Sequence, residues 1–277
     1  MIPSYELNDG HRLPVIGFGT YGLWGADGAE AVASGLRTGY RLLDSAVNYE
    51  NEGAVAEGIR RSGVPTDEII ITSKLPGRHH AYAKARTCVY ESLYRLRTDQ
   101  IGLYLIHWPN PLEDRYVEAW QALIDLQDEG VLRSIGVSNF LPEHLSRIIG
   151  ETGVTPAVNQ IELHPHFPQE RQRRINAELG IRTESWSPIG RAGAVVQEPT
   201  VLKIADAVEC TPVQVVLRWQ VQLGSIPLPK AASAGRQQEN LDIFDFSLDE
   251  EQVAAITALG RSDGRLFDAD PAVHQEF

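Results

Sequence analysis

The chain has 277 residues, of which 43% are hydrophobic and 22% are charged, a composition typical of globular proteins. Its net charge of −12 argues against binding to nucleic acid or to anionic lipid, because both carry negative charge themselves. The two cysteines are too few for a disulfide framework or a zinc motif, and no apolar run reaches the ~18 residues that a membrane span needs. With no signal-peptide pattern at the N-terminus, these features predict a cytoplasmic protein.

Turn and periodicity signals divide the chain into a short hairpin followed by alternating strands and helices. Residues 4–14 predict a β-hairpin, with its turn at Asn8-Asp9-Gly10. Apolar runs then predict strands at 15–20, 41–46, 69–74, 101–107, 134–138, 157–162, 181–186 and 225–229. Amphipathic stretches predict helices at 28–38, 51–62, 80–97, 114–129, 141–152, 169–179 and 198–223, the last broken near Thr211-Pro212.

This alternation predicts one barrel domain over residues 1–277. Several strands, such as "IGLYLI", are almost uninterrupted apolar sequence, which is typical of parallel strands buried on both faces. Eight β/α units with no linker between them predict an α/β fold, a (β/α)8 TIM barrel preceded by the hairpin. Extra C-terminal helices are expected at 234–240 and 248–259, and the aperiodic tail "SDGRLFDADPAVHQEF" should lie over the barrel surface.

One short motif favours a different fold, the Rossmann fold that binds dinucleotides. Gly17, Gly19 and Gly22 have the G-x-G-x-x-G spacing of a dinucleotide-binding turn. Asp44 follows roughly where the ribose-binding acid of that motif is expected. In such a turn the glycines lead directly into a helix, and the N-terminus of that helix meets the pyrophosphate. The residues after the motif therefore decide between the two folds.

Those residues argue against a dinucleotide-binding turn. Gly25 and Gly28 are expected to interrupt any helix, so that the first helix begins only near Ala29. The structural context that the motif requires is then missing. The alternative is that Gly17 and Gly19 let the end of a strand pass close to a molecule bound at the mouth of the barrel.

Ionisable residues end three successive predicted strands: Asp44 the second, Lys74 the third and His107 the fourth. In a β/α barrel the C-terminal ends of the strands converge on one mouth, where catalysis takes place. Tyr49 lies five residues beyond Asp44, in the loop above the same mouth. The four side chains are therefore candidates for one catalytic site.

These residue types, placed together, point to reduction of a carbonyl group. A phenol ionises near pH ~10, too high for acid–base catalysis at neutral pH, and a buried lysine beside it should lower the pKa of Tyr49. Asp44 would keep Lys74 charged, because an unpaired buried ammonium is costly. His107 could donate a hydrogen bond to a substrate oxygen, while a cofactor supplies the hydride.

Motifs spread along the chain resemble those of the aldo-keto reductase family. They are "LLDSAVNYENE" (42–52), "ITSKL" (71–75), "LIHWP" (105–109), "GVSNF" (136–140), "NQIELHP" (159–165), "VLRW" (216–219) and "IPLPKAASAGRQQENLDIFDF" (226–246). Within the family, "TGVTPAVNQIELHP" and the end "DGR…DADP" are most similar to bacterial 2,5-diketo-D-gluconate reductases. The resemblance implies an NADPH-dependent reductase of aldehydes and ketones, in which Tyr49 is the general acid and Asp44, Lys74 and His107 complete a tetrad.

The resemblance also implies where NADPH or NADP+ binds. The nicotinamide would contact side chains at three strand ends, namely Ser138, Asn139, Gln160 and Trp186. The loop that follows would pass over the pyrophosphate, with Ser187, Pro188, Ile189 and Gly190. The 2′-phosphate would meet Lys230, Ser233 and Arg236, and the adenine would meet Glu239 and Asn240. Residues near the first strand, Gly19, Thr20 and Tyr21, complete the implied cofactor site.

For the substrate, the resemblance implies a small-molecule carbonyl bound by a monomeric enzyme, in a pocket lined by Tyr21, Trp24 and Trp108. The chain departs from the family pattern at two positions. Ala231 replaces the serine that often follows the phosphate-binding lysine, which should soften a preference for NADPH over NADH. Pro76 stands where a pocket tryptophan is common, which changes the substrate wall.

Two other functions stay open at the level of the sequence. The chain could be a non-catalytic NADP(H)-binding redox sensor, although a sensor has no need of a tuned phenol. The spacing His164-x-His166 is one that metal hydrolases use on a barrel strand, so a metal-dependent hydrolase is the second alternative. The acids and histidines elsewhere are better explained by the tetrad, and we expect no metal.

Overall fold

A hairpin closes the end of the barrel at which the strands begin. The computed structural model describes residues 2–190 and 193–277. Strand β1 (Ser4–Glu6) pairs antiparallel with β2 (Arg12–Pro14), which confirms the predicted hairpin. Leu7 and Leu13 are buried in one cluster with Leu42 and Leu103 of the barrel strands. The hairpin therefore fills the barrel end opposite the predicted active site.

Eight parallel strands follow, each hydrogen-bonded to the next in chain order. They are β3 (Phe18–Gly19), β4 (Leu42–Asp44), β5 (Ile70–Leu75), β6 (Ile101–Ile106), β7 (Leu132–Ser138), β8 (Val158–Glu162), β9 (Arg182–Trp186) and β10 (Ile226–Pro227). Two backbone bonds join the first strand segment to the last: Gly17 N–H donates to Pro227 O at 3.0 Å, and Gly19 N–H to Pro229 O at 3.1 Å. The sheet is thus a closed (β/α)8 barrel, as predicted.

Ten α-helices are described around the barrel. They are α1 (Gly25–Thr38), α2 (Glu52–Ser62), α3 (Tyr82–Leu96), α4 (Tyr116–Asp128), α5 (Pro142–Thr152), α6 (Glu170–Glu178), α7 (Pro199–Ala207), α8 (Pro212–Gln222), α9 (Ala234–Leu241) and α10 (Glu250–Thr257). The predicted break before Pro212 is confirmed, because Thr211 and Gln214 exchange side-chain to backbone hydrogen bonds at the start of α8. Within the described ranges, no helix is both long and apolar enough to cross a membrane.

The main core lies between the strands and the surrounding helices. Tyr104 of β6, Trp120 of α4 and Phe140 after β7 are all buried in it. Burial of each such side chain contributes roughly 1.5–3 kcal/mol relative to exposure. The barrel interior is filled separately, by leucine, isoleucine and valine side chains of the strands. Rigid packing on both faces holds the strand ends, and therefore the site, in place.

The first helix begins earlier than the sequence predicted. We expected it near Ala29, but α1 begins at Gly25, directly after Trp24. Gly28 lies inside the helix, and its backbone passes close to Leu23. A Cβ at position 28 would stand 2.4 Å from the Leu23 carbonyl carbon, which explains the glycine. Gly25 and Gly28 therefore do not interrupt the helix, and the prediction that they exclude a dinucleotide-binding turn was wrong. The consecutive strand order of the barrel excludes the Rossmann fold instead.

Gly17 and Gly19 serve to close the barrel. A Cβ on Gly19 would lie 2.8 Å from the carbonyl oxygen of Leu228, and one on Gly17 would lie 2.6 Å from a Leu228 methyl carbon. The sequence suggested that these glycines let a strand end pass close to a bound molecule; in the structure the close neighbour of both is Leu228, directly after β10. Side chains at these two positions would hold the first and last strands apart.

We predict that Gly19→Ala destabilises the fold by about 1–3 kcal/mol, because the new methyl group would collide with the backbone at Leu228. Urea unfolding without cofactor measures the change. Gly53→Ala is the matched control, since Gly53 lies in α2 with no atom within 4 Å of its added Cβ. That variant should gain up to about 1 kcal/mol from helix propensity. Equal stability of the two variants would contradict the role given to Gly19.

Candidate active site

The barrel brings the four predicted catalytic residues together at the C-terminal ends of neighbouring strands. Asp44 is the last residue of β4, Lys74 is the penultimate residue of β5, and His107 follows β6. Tyr49 ends a short 3-10 helix, Val47–Tyr49, which leads away from β4. Parallel pairing of these strands sets the height at which each side chain leaves the sheet.

A buried ion pair lies at the centre of the site. Lys74 Nζ donates to both carboxylate oxygens of Asp44 at 2.7 Å and to the carbonyl oxygen of Ser45 at 2.8 Å. Burial alone would lower the pKa of Lys74, but its interactions with Asp44 and Tyr49 outweigh burial and raise that pKa above its ordinary value. Lys74 is therefore a charged ammonium, although it is fully buried. Loss of either partner would leave an uncompensated charge, at a cost of about 3–5 kcal/mol.

The phenol of Tyr49 is next to this ammonium. Lys74 Nζ donates to the Tyr49 hydroxyl at 3.4 Å, and the Tyr49 ring centroid is 5.9 Å from that of His107. Burial raises the pKa of Tyr49, and the opposing effect of Lys74 does not cancel it. The predicted lowering of the Tyr49 pKa is thus wrong, because the net shift in this structure is upward. Tyr49 keeps its proton at neutral pH, and Lys74 reduces the cost of giving that proton up.

The ion pair continues into a chain of buried polar side chains. Gln160 Nε2 donates to Asp44 Oδ1 at 2.8 Å and to Glu184 Oε2 at 3.0 Å. Burial raises the pKa of Glu184 to about 8, and the nearby charge of Asp44 acts in the same direction. Glu184 is therefore protonated at neutral pH. Both amide hydrogens of the Gln160 side chain are engaged. Its side-chain oxygen, Oε1, is therefore left to accept a hydrogen bond from a ligand.

Three residues predicted to bind nicotinamide form a connected group beside the tetrad. Trp186 Nε1 donates to Asn139 Oδ1 at 2.8 Å, and Asn139 Nδ2 donates to the carbonyl oxygen of His107 at 3.0 Å. The Ser138 hydroxyl donates to the carbonyl oxygen of Gln160 at 2.8 Å. The Trp186 ring is thereby tied, through Asn139, to the strand end that carries His107.

The loop after β3 is tied to the tetrad by Thr20, whose hydroxyl donates to the carbonyl oxygen of Asp44 at 2.9 Å. Asn51 stabilises this loop by donating to the carbonyl oxygens of Thr20 and Leu23. Gly19 ends β3, and Tyr21 follows Thr20. Sequence reasoning missed Asn51, whose motif it had quoted without assigning a role to that residue.

The three predicted pocket aromatics surround the mouth. Tyr21 packs edge-on against Tyr49 at 5.1 Å, and Trp24 Nε1 donates to the carbonyl oxygen of Tyr49 at 2.7 Å. Trp108 is next to His107, and its ring lies 4.2 Å from that of His274 in the C-terminal tail. Tyr21 and Trp24 are exposed, which leaves their faces available to a ligand.

The predicted pyrophosphate loop follows Trp186 directly. Gly190 N–H donates to the carbonyl oxygen of Ser187 at 2.9 Å, which makes a tight turn with Gly190 at φ 66°. Gln220 of α8 donates to the carbonyl oxygen of Pro188 at 2.6 Å. Ile189, the remaining predicted residue, packs against the cores on both sides. The loop is therefore anchored from below.

The residues predicted to hold the adenosine end cluster around the start of α9. Lys230 and Arg236 are exposed, and within residues 2–190 and 193–277 neither has a carboxylate within 4 Å. Ser233 precedes α9 but makes no capping hydrogen bond through its hydroxyl in the described chain. These donors are free to meet an anion. Of the two predicted adenine contacts, Glu239 is half-buried, and Asn240 is buried beside Tyr40.

His164 and His166, the pair that suggested a metal-dependent hydrolase, instead help to anchor the C-terminal segment. His164 Nε2 is 2.9 Å from Glu162 Oε1, which also accepts a bond from Leu266 N–H. His166 lies between Glu198 and Arg261, at 2.5 Å and 2.7 Å. Within residues 2–190 and 193–277 no group of three or more histidine, cysteine or acidic residues could hold a metal ion.

Comparison with known proteins agrees with this geometry. The model of the Aldo/keto reductase family matches residues 15–261. The chain belongs to the aldo/keto reductase family. It is 51% identical over 275 residues to 2,5-diketo-D-gluconic acid reductase B from Corynebacterium sp. (strain SHS752001), covering 99% of both chains. The resemblance stated from the sequence motifs is thereby confirmed.

Solved aldo-keto reductase structures share the barrel. A mutant of Gox0644 in complex with NADPH has a TM-score of 0.95 and 42% identity, with 99% of each chain covered. An aldo/keto reductase from Brucella melitensis has a TM-score of 0.90 and 41% identity, covering 94% of this chain and 100% of that one.

Sequence reasoning missed two acids of this aldo/keto reductase site. Glu184 lies inside the buried strand β9, and an acid in such a strand is itself a signal, because buried carboxylates are rare without a partner. Glu276 lies in the tail, where no periodicity marks it, yet its Oε1 is 2.6 Å from His107 Nδ1. The tail was expected over the barrel surface, and its last residues in fact reach the tetrad.

We predict that Glu184→Gln stabilises the fold more at pH 8 than at pH 5. The folded pKa, about 8, exceeds the ordinary value of 4.5, so in the wild type stability falls as pH rises between the two. Glutamine does not ionise, and its advantage should grow by up to about 1.4 kcal/mol per pH unit in that window. Urea unfolding at both pH values measures this advantage. Glu209→Gln, at an exposed carboxylate, should show no such growth; a pH-independent effect of Glu184→Gln would contradict a buried neutral acid.

Proposed function

We propose that this aldo/keto reductase reduces aldehydes and ketones to alcohols with NADPH, and that Tyr49 donates the proton. One observation carries the proposal: the Tyr49 hydroxyl is 3.4 Å from Lys74, a buried ammonium held by both oxygens of Asp44. A proton donor with an adjacent fixed cation is the arrangement that carbonyl reduction needs, because negative charge develops on the substrate oxygen and then on the phenol.

The described residues fit NADPH. Lys230, Arg236 and the hydroxyl of Ser233 form a local group of anion-binding donors on a chain whose net charge is −12. Among residues 2–190 and 193–277 no carboxylate pairs with Lys230 or Arg236, and a 2′-phosphate would supply a partner. Gln160 and Asn139 present amide groups at the strand ends, where a carboxamide could be recognised. When bound, NADPH supplies a hydride to the carbonyl carbon.

The side chains of the tetrad then have separate tasks. His107 and Tyr49 orient the substrate carbonyl oxygen, since both are at the mouth and their ring centroids are 5.9 Å apart. Tyr49 transfers its phenolic proton to that oxygen as the carbonyl becomes an alcohol. Lys74 stabilises the resulting phenolate until a proton returns from solvent, and Asp44 keeps Lys74 charged and in place.

We infer a small carbonyl compound as substrate, with dicarbonyls such as diketo-gluconate first among those to test. Support comes from the 51% identity to 2,5-diketo-D-gluconic acid reductase B. We further propose that residues 1–277 act as one barrel domain and as a monomer. The free thiols of Cys88 and Cys210 support a reducing compartment such as the cytoplasm.

Replacement of Tyr49 tests the proton donor. Tyr49→Phe removes only the hydroxyl, and we expect turnover of a carbonyl panel to fall by at least ~100-fold. NADPH binding, measured by fluorescence titration, should stay within about twofold, because the hydroxyl lies at the carbonyl end of the site. Near-normal turnover would show that another group protonates the substrate.

Replacement of Lys230 tests the 2′-phosphate contact. Lys230→Ala should raise KM for NADPH by roughly 10-fold or more and leave KM for NADH almost unchanged, because NADH lacks that phosphate. Lys203→Ala, which removes an exposed cation from α7, is the control and should change neither constant. An equal rise for both cofactors with Lys230→Ala would remove Lys230 from the phosphate site.

A further inference from the structure

The last four residues of the chain lie in the mouth of the barrel. The ring of His274 packs on Trp108 at 4.2 Å between centroids. The carbonyl oxygen of Phe277, at the chain end, accepts a bond from Arg78 at 3.3 Å. Between these two contacts, Glu276 points toward the tetrad, and the Glu276 side chain is mostly buried. The C-terminal segment is therefore part of the active-site wall.

The Glu276 carboxylate lies against groups from three different loops, two of which donate hydrogen bonds to it. Oε1 is 2.6 Å from His107 Nδ1 and accepts a bond from Asn48 Nδ2 at 2.7 Å. Oε2 accepts a bond from Gly77 N–H at 3.3 Å. Burial acts against ionisation, but these contacts outweigh it and lower the pKa of Glu276 below its ordinary value. Glu276 is a carboxylate at neutral pH.

The backbone beneath Glu276 is built to receive the tail. Asn110 binds the main chain of Glu276 in both directions: Nδ2 donates to its carbonyl oxygen at 2.7 Å, and Oδ1 accepts from its N–H at 3.2 Å. A Cβ on Gly77 would lie 2.4 Å from the same carbonyl oxygen, so a side chain there would exclude the tail. Docking of the tail is thus specified by residues far from it in the chain.

A carboxylate oxygen 2.6 Å from a ring nitrogen requires a proton on that nitrogen, because two lone pairs at this distance would repel each other. Nδ1 of His107 is buried and lies 2.6 Å from Glu276 Oε1, although no group in the described chain meets it with hydrogen-bond geometry, so the carboxylate favours a proton on Nδ1 through its charge and proximity. Contact with a substrate oxygen is then left to the other ring nitrogen, Nε2. A carboxylate that orients a catalytic imidazole is a recurring device in enzymes.

We propose that Glu276 is a positioning residue for His107, delivered to the active site by the C-terminal tail. The inference rests on the proposed function, in which His107 orients the substrate carbonyl. It assigns to the tail a part in the reaction itself, through the ring of His107.

The other titratable groups near the pair do not replace Glu276. Burial lowers the pKa of His80 to about 4, and burial also lowers the pKa of His274, so both are neutral at neutral pH. Tyr49 is protonated, and Arg78 is engaged with Asn48 and with the end of the chain. Lys74 lies beyond Tyr49 and is paired with Asp44. Glu276 is therefore the carboxylate that faces His107.

The test compares three variants of the full chain. Glu276→Gln removes the charge with little change of shape, Glu276→Asp keeps the charge, and Asn110→Ala weakens tail docking while keeping the carboxylate. We expect the single-turnover rate of NADPH oxidation by a saturating aldehyde to fall ~10-fold with Glu276→Gln. The loss should be smaller with Glu276→Asp and with Asn110→Ala. Glu113→Gln, an exposed acid in the loop after β6, is the control for charge and should match the wild type.

Nitrogen NMR of the His107 ring supplies a second readout that docking alone would not change. The wild type should show a proton on Nδ1, and Glu276→Gln should show a mixture of tautomers. An unchanged rate and tautomer with Glu276→Gln, equal losses with Glu276→Gln and Asn110→Ala, or faster turnover with Glu276→Gln would each overturn the proposal. A wild-type chain that oxidises no NADPH would overturn the proposed function instead, and the NMR comparison would still decide the pairing.

Discussion

A buried ammonium held by one carboxylate is the interaction on which the site depends. Lys74 has no exposed surface, and without Asp44 it would be driven to lose its proton. The two side chains meet because β4 and β5 are adjacent and in parallel register, with Asp44 opposite Thr72. The same sheet closes where the bare backbone of Gly17 and Gly19 lies beside Leu228. The charge of Lys74 is thus a consequence of the strand pairing that places Asp44 beside it.

Carboxyl groups around the ammonium differ in charge because their surroundings differ. Asp44 is paired with Lys74, and Glu276 accepts bonds from Asn48 and Gly77, lies beside His107 and is ionised. Glu184, whose hydrogen-bond partner among the described residues is the amide of Gln160, is protonated at neutral pH. A second negative charge next to Asp44 would hold the phenolic proton of Tyr49 more tightly and oppose its transfer. Neutral Glu184 therefore extends the hydrogen-bond chain without weakening the acid.

Much of the fold could be predicted from the sequence, because buried strands and amphipathic helices impose different periods on apolar residues. The grouping of the tetrad could be predicted because the C-terminal ends of barrel strands converge. To place Asp44, Lys74 and His107 together, only the strand boundaries had to be predicted correctly. The predicted start of α1 was wrong because it relied on the low helix propensity of glycine, which is a local property. Glycine is needed at position 28 because a side chain there would collide with the backbone of Leu23. The predicted direction of the Tyr49 pKa shift was wrong because the burial of this side chain depends on tertiary packing, which the sequence does not show.

The substrate wall is harder to predict than the reaction because distant segments build it jointly. Pro76 stands where a pocket tryptophan is common in the family, and Gly77 after it carries no side chain. The tail occupies the space beside them, with Glu276 and Gly77 separated by 199 positions in the chain. An aperiodic segment gives no sign of where it docks. The positions of Asp44, Lys74 and His107 follow from strand order, whereas the pocket depends on how the tail and the loop after β5 fill each other's space.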